Sequence, residues 1–122
     1  MTRFLFVGAG GFLGAIARYG VGLLVARYWT AEFPLATFLI NVSGSFVLGL
    51  FSTLAAERLT LDPLWRLLVA TGFVGAYTTF STFEYETHRL VETGGTGLAL
   101  LNVAASVVAG YAAVLVGVRL AR

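Results

Sequence analysis

Apolar residues fill this chain in four long blocks, 4–29, 33–54, 64–85 and 97–120, broken by short clusters of Pro, Gly, Thr and charged residues. Each block holds about 22 residues or more, enough for a helix to cross a hydrocarbon core of roughly 30 Å at about 1.5 Å per residue. The breaks carry ordinary boundary signals. Pro34 and Pro63 suit the first turn of the second and third helices, and Asp62 suits the N-cap of the third. Thr93-Gly94-Gly95-Thr96-Gly97 reads as a flexible turn before the fourth. Tyr28, Trp29 and Trp65 fall at block ends, where amphipathic rings favour the membrane interface. The pattern predicts an all-α integral membrane domain of four short-looped helices over residues 1–122.

One block is not uniformly apolar. Residues 72–83, Gly-Phe-Val-Gly-Ala-Tyr-Thr-Thr-Phe-Ser-Thr-Phe, set four Ser and Thr hydroxyls, two glycines and the phenylalanine pair Phe80 and Phe83 inside the charge-free run 67–83. Lipid offers no hydrogen bonds, so polar groups at that depth need internal partners or line a pathway. A binding or permeation site is the first reading of this cassette.

Composition agrees with the pattern. The chain is 58% hydrophobic, with a mean hydropathy of +0.88, far above a soluble domain of 122 residues. A cleavable leader does not fit the start, because the first apolar run continues to Trp29 and the remainder is itself membrane-like. There is no cysteine, and the single histidine, His88, falls near Arg89 at a span end, so thiolate metal sites and triad hydrolysis are excluded. All eight basic residues are arginines and none forms a nucleic-acid-binding run. Arg3, Arg58, Arg66, Arg119 and Arg122 fall on one side of the spans, against Arg27 and Arg89 on the other. The excess orients both termini towards the cytoplasm.

The chain reads as two copies of one unit, 1–61 and 62–122. Leu39-Ile40-Asn41-Val42-Ser43-Gly44-Ser45-Phe46-Val47-Leu48-Gly49-Leu50 matches residues 100–111 at six of twelve positions, including Asn41/Asn102, Ser45/Ser106 and Gly49/Gly110. At the same offset, residues 11–15 match 72–76 at four of five. Two helices per unit make this a parallel repeat.

Several residues are candidates for chemistry. Thr37, Asn41, Ser45 and Gly49 recur every four residues on one helix face. Ser45 and Gly49 suit helix packing, whereas the Asn41 amide favours lining a pathway, since burial demands partners for both its NH2 and its C=O. Asn102, Ser106 and Gly110 repeat that face. Phe80 and Phe83 project to roughly one side, and ring edges carry positive charge suited to a small anion. Gly75 to Thr79 is poor helix; a local break would free carbonyls for a hard cation and N–H groups for an anion. Arg18 lies mid-span, where a charge is usually paired or faces a cavity; Glu84 and Glu86 are the nearby carboxylates, themselves simply read as interfacial. Gly10 and Gly14 form a GxxxG step that Gly11 and Ala15 extend. Four slim helices with small residues on several faces can hardly enclose a polar path alone, so oligomerisation is expected, a two-fold dimer being the commonest form.

These segments carry a family resemblance. Gly10-Gly11-Phe12-Leu13-Gly14-Ala15-Ile16-Ala17-Arg18-Tyr19, residues 37–46, the Thr78-Thr79-Phe80-Ser81-Thr82-Phe83 element and residues 102–110 stand in the order and spacing of the Fluc (CrcB) fluoride channels. The resemblance covers essentially the whole chain. It implies an antiparallel, dual-topology homodimer in the inner cell membrane, surrounded by lipid, that passively exports fluoride to lower its cytoplasmic concentration. It also implies a third helix broken near its middle and no enzyme activity. By the same resemblance Asn41 lines the pore, Phe80 and Phe83 meet fluoride with their ring edges, and Ser81, Thr82 and Ser106 form a polar track. Carbonyls of Gly75 and Thr78 hold a structural Na+ at the dimer interface, although this chain has Gly75-Ala76 where the family often has Gly-Gly. Arg18 matches a vestibule arginine. The residues alone leave two other readings: a small dual-topology multidrug transporter built on an embedded carboxylate, and a non-transporting assembly subunit whose polar faces only join helices.

Overall fold

A computed structural model describes residues 1–122, and the protein is helical without a strand. Helix α1 spans Thr2–Tyr28 and α2 spans Leu35–Glu57. Helix α3 covers residues 63–77: an α-turn Pro63–Arg66, a π-helical stretch Leu67–Val74, and a last turn Gly75–Tyr77. Helix α4 spans Phe80–Glu92 and α5 spans Thr96–Ala121. Between α3 and α4, Thr78 and Thr79 are extended, at φ −78°, ψ 155° and φ −149°, ψ 114°.

Local chemistry sets most ends. Asp62 accepts a 2.9 Å hydrogen bond from Leu64 N–H with Pro63 opening the helix, as expected. Pro34 stands one residue earlier than expected, at the N-cap of α2 rather than in its first turn. At the other end of α2, Arg66 donates to the Ala55 carbonyl, covering a group that the helix leaves open. Gly94 has φ +84°, a left-handed conformation that costs glycine little, and it turns the chain from α4 into α5.

Helix α1 packs mainly on α3, and α2 on α5. Close approach needs small residues: a Cβ on Gly10 or Gly14 would strike the backbone of Leu68 or Phe73, and Gly49 and Gly117 meet the carbonyls of Val114 and Phe46 in the same way. The Gly10/Gly14 step is therefore spent inside one chain, on α3.

Only 16 of 122 residues are buried, while Phe4, Phe12, Leu24, Leu100, Val108 and Leu120 face outward. A surface this apolar suits lipid rather than water. Helices α1, α2 and α5 are each long and apolar enough to cross a membrane. Neither α3 nor the 13-residue α4 is long enough alone, and the polar cassette straddles the gap between them.

Candidate functional site

The extended pair Thr78-Thr79 strands backbone groups that a continuous helix would pair. Asn41, reaching over from α2, takes them up. Thr79 N–H donates to Asn41 Oδ1 at 2.8 Å, and Asn41 Nδ2 donates to the Thr79 carbonyl at 3.0 Å. The side-chain amide thus imitates one rung of a β-ladder for a residue that is only 8% exposed. This answers the cost of burying an asparagine: its C=O and one N–H are satisfied, and a second N–H remains for a ligand.

Thr79 also starts the next helix. Its Oγ1 accepts from Thr82 N–H at 3.3 Å, an N-cap arrangement, and donates to Thr82 Oγ1 at 3.1 Å. Both bonds have a consequence for α3. The fourth-residue donor expected at the Gly75 carbonyl is Thr79 N–H, which is turned to Asn41; the one expected at the Thr78 carbonyl is Thr82 N–H, which is turned to Thr79 Oγ1. Two carbonyls next to the interruption are released from their usual helical donors. Such oxygens fit a hard monovalent or divalent cation, and Gly75 lies on the exposed side where they are reachable. No cluster of His, Cys, Asp or Glu competes as a metal centre.

Two cavities meet at this point. A groove of about 290 Å3 is lined by Asn41, Ser45, Thr79, Phe80, Phe83 and Ser106, with Thr78 at its edge. No charged side chain lines it. A second cavity of about 400 Å3 is lined by Arg18, Thr37, Thr79, Thr82 and Glu86. Thr79 borders both, whereas Thr78 lines only the first. The Phe80 and Phe83 rings sit 5.9 Å apart at 47°, Phe83 buried at 7% exposure and Phe80 turned outward at 74%. Of the pathway residues expected from sequence, Asn41, Phe80, Phe83 and Ser106 come together in the groove. Thr82 lies on the other side with Arg18, and Ser81 is exposed and borders neither cavity.

The Asn102 side chain is almost wholly buried, at 1% exposure. It donates to Thr87 Oγ1 at 2.9 Å, and Thr87 in turn donates to the Phe83 carbonyl at 2.8 Å. Ser106 Oγ donates to Asn102 Oδ1 at 3.4 Å. This relay ties α5 to the turn of α4 that carries Phe83.

Arg18 is in neither of the ion pairs, which are His88–Glu92 and Arg122–Glu57. It faces the second cavity instead, across from Glu86. Glu86 corrects its reading as a plain interfacial residue: Thr37 Oγ1 donates to its Oε1 at 2.9 Å, and its Oε2 is buried without a partner. Glu84 is exposed, and His88 sits in solvent beside Glu92 as expected. Sequence reasoning gave Thr79 no role beyond the hydroxyl cassette and missed the bond between Thr37 and Glu86. A signal existed for Thr79, since a threonine directly after the weak helix of Gly75–Thr78 and before a new helical run is an N-cap candidate. For Glu86 none existed, because its partner lies 49 residues away on α2.

The sequence has close counterparts among known proteins. Residues 5–118 match the family model described as CrcB-like protein, Camphor Resistance (CrcB). A protein of Solibacter usitatus named fluoride-specific ion channel FluC is 48% identical over 120 residues, covering 98% of each chain. One of the same name from Acidobacterium capsulatum is 48% identical over 115 residues, covering 94% of this chain and 92% of its own. A third, from Sulfurihydrogenibium sp., is 43% identical over 122 residues, covering 100% of this chain and 98% of its own.

Proposed function

Since this chain belongs to the CrcB-like protein family, we propose that it is a fluoride-selective ion channel, releasing fluoride passively across the membrane and so lowering its cytoplasmic concentration. The observation that carries the reading is that two cavities share Thr79 in their linings, one also lined by Arg18 and the other by two phenylalanine rings.

Fluoride is small and strongly hydrated, so entry requires several close donors to replace lost water. In the second cavity the Arg18 guanidinium, bound in no ion pair, supplies charged donors for the anion, with the Glu86 carboxylate in the same lining. The Thr82 hydroxyl, which accepts from Thr79 and keeps its own proton, offers the first replacement hydrogen bond. Beyond Thr79, the free N–H of Asn41 and the ring edges of Phe80 and Phe83 continue the path, and Ser106 joins it by turning its proton from the long 3.4 Å bond to Asn102 towards the ion. The groove holds no fixed charge, so binding there stays weak enough for the ion to leave. Ser81, outside both cavities in one chain, joins the path only if a second chain covers it.

The same reading extends to assembly. Residues 63–92 act as one span broken at Thr78-Thr79, and two chains pair antiparallel across the exposed side of the break, where Gly75, Phe80 and Ser81 lie. The released carbonyls of Gly75 and Thr78 from each chain then hold a structural Na+ at the interface; the ion supplies a fixed positive charge there. The chain is placed in the inner cell membrane. The packing of α1 on α3 and of α2 on α5 supports its origin as a parallel repeat of 1–61 and 62–122, because each helix packs on its repeat mate.

The test is fluoride efflux from proteoliposomes of the purified protein, read by electrode, with chloride-loaded vesicles alongside. Rapid fluoride release without chloride release, lost in Phe80→Ala protein that still assembles, is expected. Folded protein that releases no fluoride overturns the reading and returns the transporter and assembly-subunit alternatives.

A further inference from the structure

A third cavity lies away from the fluoride path, at the end of the molecule where the chain begins. Its volume is about 430 Å3, and it is framed by α1, the C-terminal part of α2 and the start of α3. Arg3 and Arg66 stand at its mouth, Ser52 and Thr71 contribute hydroxyls, and Phe51 and Leu67 are among the apolar lining residues. Arg3 takes part in no hydrogen bond or ion pair, and Arg66 spends one nitrogen on the Ala55 carbonyl, leaving the rest of its guanidinium open.

The acids that would neutralise these arginines are engaged elsewhere. Asp62 caps Leu64 N–H, and Glu57 is held by Arg122 through three hydrogen bonds of 3.1 to 3.3 Å. No carboxylate lines the cavity. Two cations without counter-charge therefore face a space whose remaining walls are apolar and hydroxylic. Position adds a second constraint. Arg3 lies in the first turn of α1 and Arg66 in the first turn of α3, both at span ends. Thr71 lies five residues beyond Arg66, about one turn deeper along the π-helical stretch. Charge at the rim with apolar surface below matches an amphiphile entering from the membrane.

We propose that this cavity binds the phosphate of an anionic phospholipid, with Arg3 and Arg66 gripping the head group, Ser52 and Thr71 donating to its ester oxygens, and an acyl chain running along Phe51 and Leu67. Basic pockets between membrane helices are suited to such head groups, and guanidinium groups match phosphate oxygens in geometry as well as charge. A free phosphate ion shares the head-group chemistry but leaves the apolar walls unused, so the lipid is the occupant favoured. The inference rests on the membrane-spanning reading and not on the identity of the transported ion.

Trp65, adjacent to Arg66 and half-exposed, provides a reporter. The experiment uses full-length Trp29→Phe protein in phosphatidylcholine vesicles with a small fraction of lipid brominated on its acyl chains. Brominated phosphatidylglycerol is expected to quench Trp65 more than brominated phosphatidylcholine at equal fraction. The excess affinity should fall about fivefold for each arginine removed, in Arg3→Gln and in Arg66→Gln. Arg3→Gln breaks no contact of the fold, so it remains informative if Arg66→Gln unfolds, and fluoride efflux from the same vesicles reports folding independently. Arg119→Gln, at the same end but outside the cavity, should leave the excess intact. Equal quenching by the two lipids overturns the proposal, as does an equal loss in Arg119→Gln, which would mean diffuse surface attraction. Abolition of the excess by inorganic phosphate would assign the site to the free ion and overturn the lipid.

Discussion

Asn41→Ala tests the central structural argument most directly. The substitution removes both hydrogen bonds to Thr79, one to its N–H at 2.8 Å and one to its carbonyl at 3.0 Å. Thr79 is buried, so its N–H loses its acceptor without gaining water, at a cost of about 1–3 kcal/mol. Loss of the second bond adds about 1 kcal/mol, in keeping with the modest value of side-chain hydrogen bonds in membranes. The sum is about 2–4 kcal/mol, and even the lower figure reduces the population of the clamped conformation about 30-fold against its alternatives. Two measurements on one preparation check this: thermal denaturation of the solubilised protein and its fluoride efflux rate in proteoliposomes. Both should fall together. Asn41→Asp should fall between, because it keeps an acceptor for Thr79 N–H but sets a carboxylate oxygen against the Thr79 carbonyl. Wild-type stability with abolished flux would refute the clamp and leave Asn41 as a lining residue only; unchanged stability and flux would refute both roles.

Phe83→Ala empties a buried position and should lower stability by about 3–5 kcal/mol in chemical denaturation, whereas Phe80→Ala should abolish flux while leaving the single-chain core intact. A stable, conducting Phe80→Ala protein would count against the ring-edge mechanism. Gly14→Ala drives a methyl into the Phe73 backbone and should collapse the yield of folded protein on size-exclusion chromatography; Gly8→Ala, which meets nothing, should not. Thr87→Val removes the hydroxyl between Asn102 and the Phe83 carbonyl and strands a buried amide donor, so thermal stability should drop by about 1–3 kcal/mol. Gln in place of Arg122 breaks an exposed pair with Glu57 and should barely change the melting temperature.

Much of this molecule can be read along the chain because the relevant physics is local. The lengths of α1, α2 and α5 follow from uninterrupted apolar runs, and the start of α3 follows from Asp62-Pro63, whose cap and missing N–H act within one turn. The weakness of helix around Gly75–Thr79 is likewise a property of those residues, and so is the concentration of hydroxyls beside Phe80 and Phe83. What the chain could not disclose is pairing at a distance. Asn41 meets Thr79 across 38 positions and Thr37 meets Glu86 across 49, and both contacts depend on how α2 is rotated against the interruption. The use of Gly10 and Gly14 was undetermined for the same reason: a small-residue face accepts any close backbone, and only the packing of α1 on α3 decides that the backbone is the chain's own. Periodicity and composition fix which groups must find partners in a membrane, while the relative placement of helices fixes which partners they find.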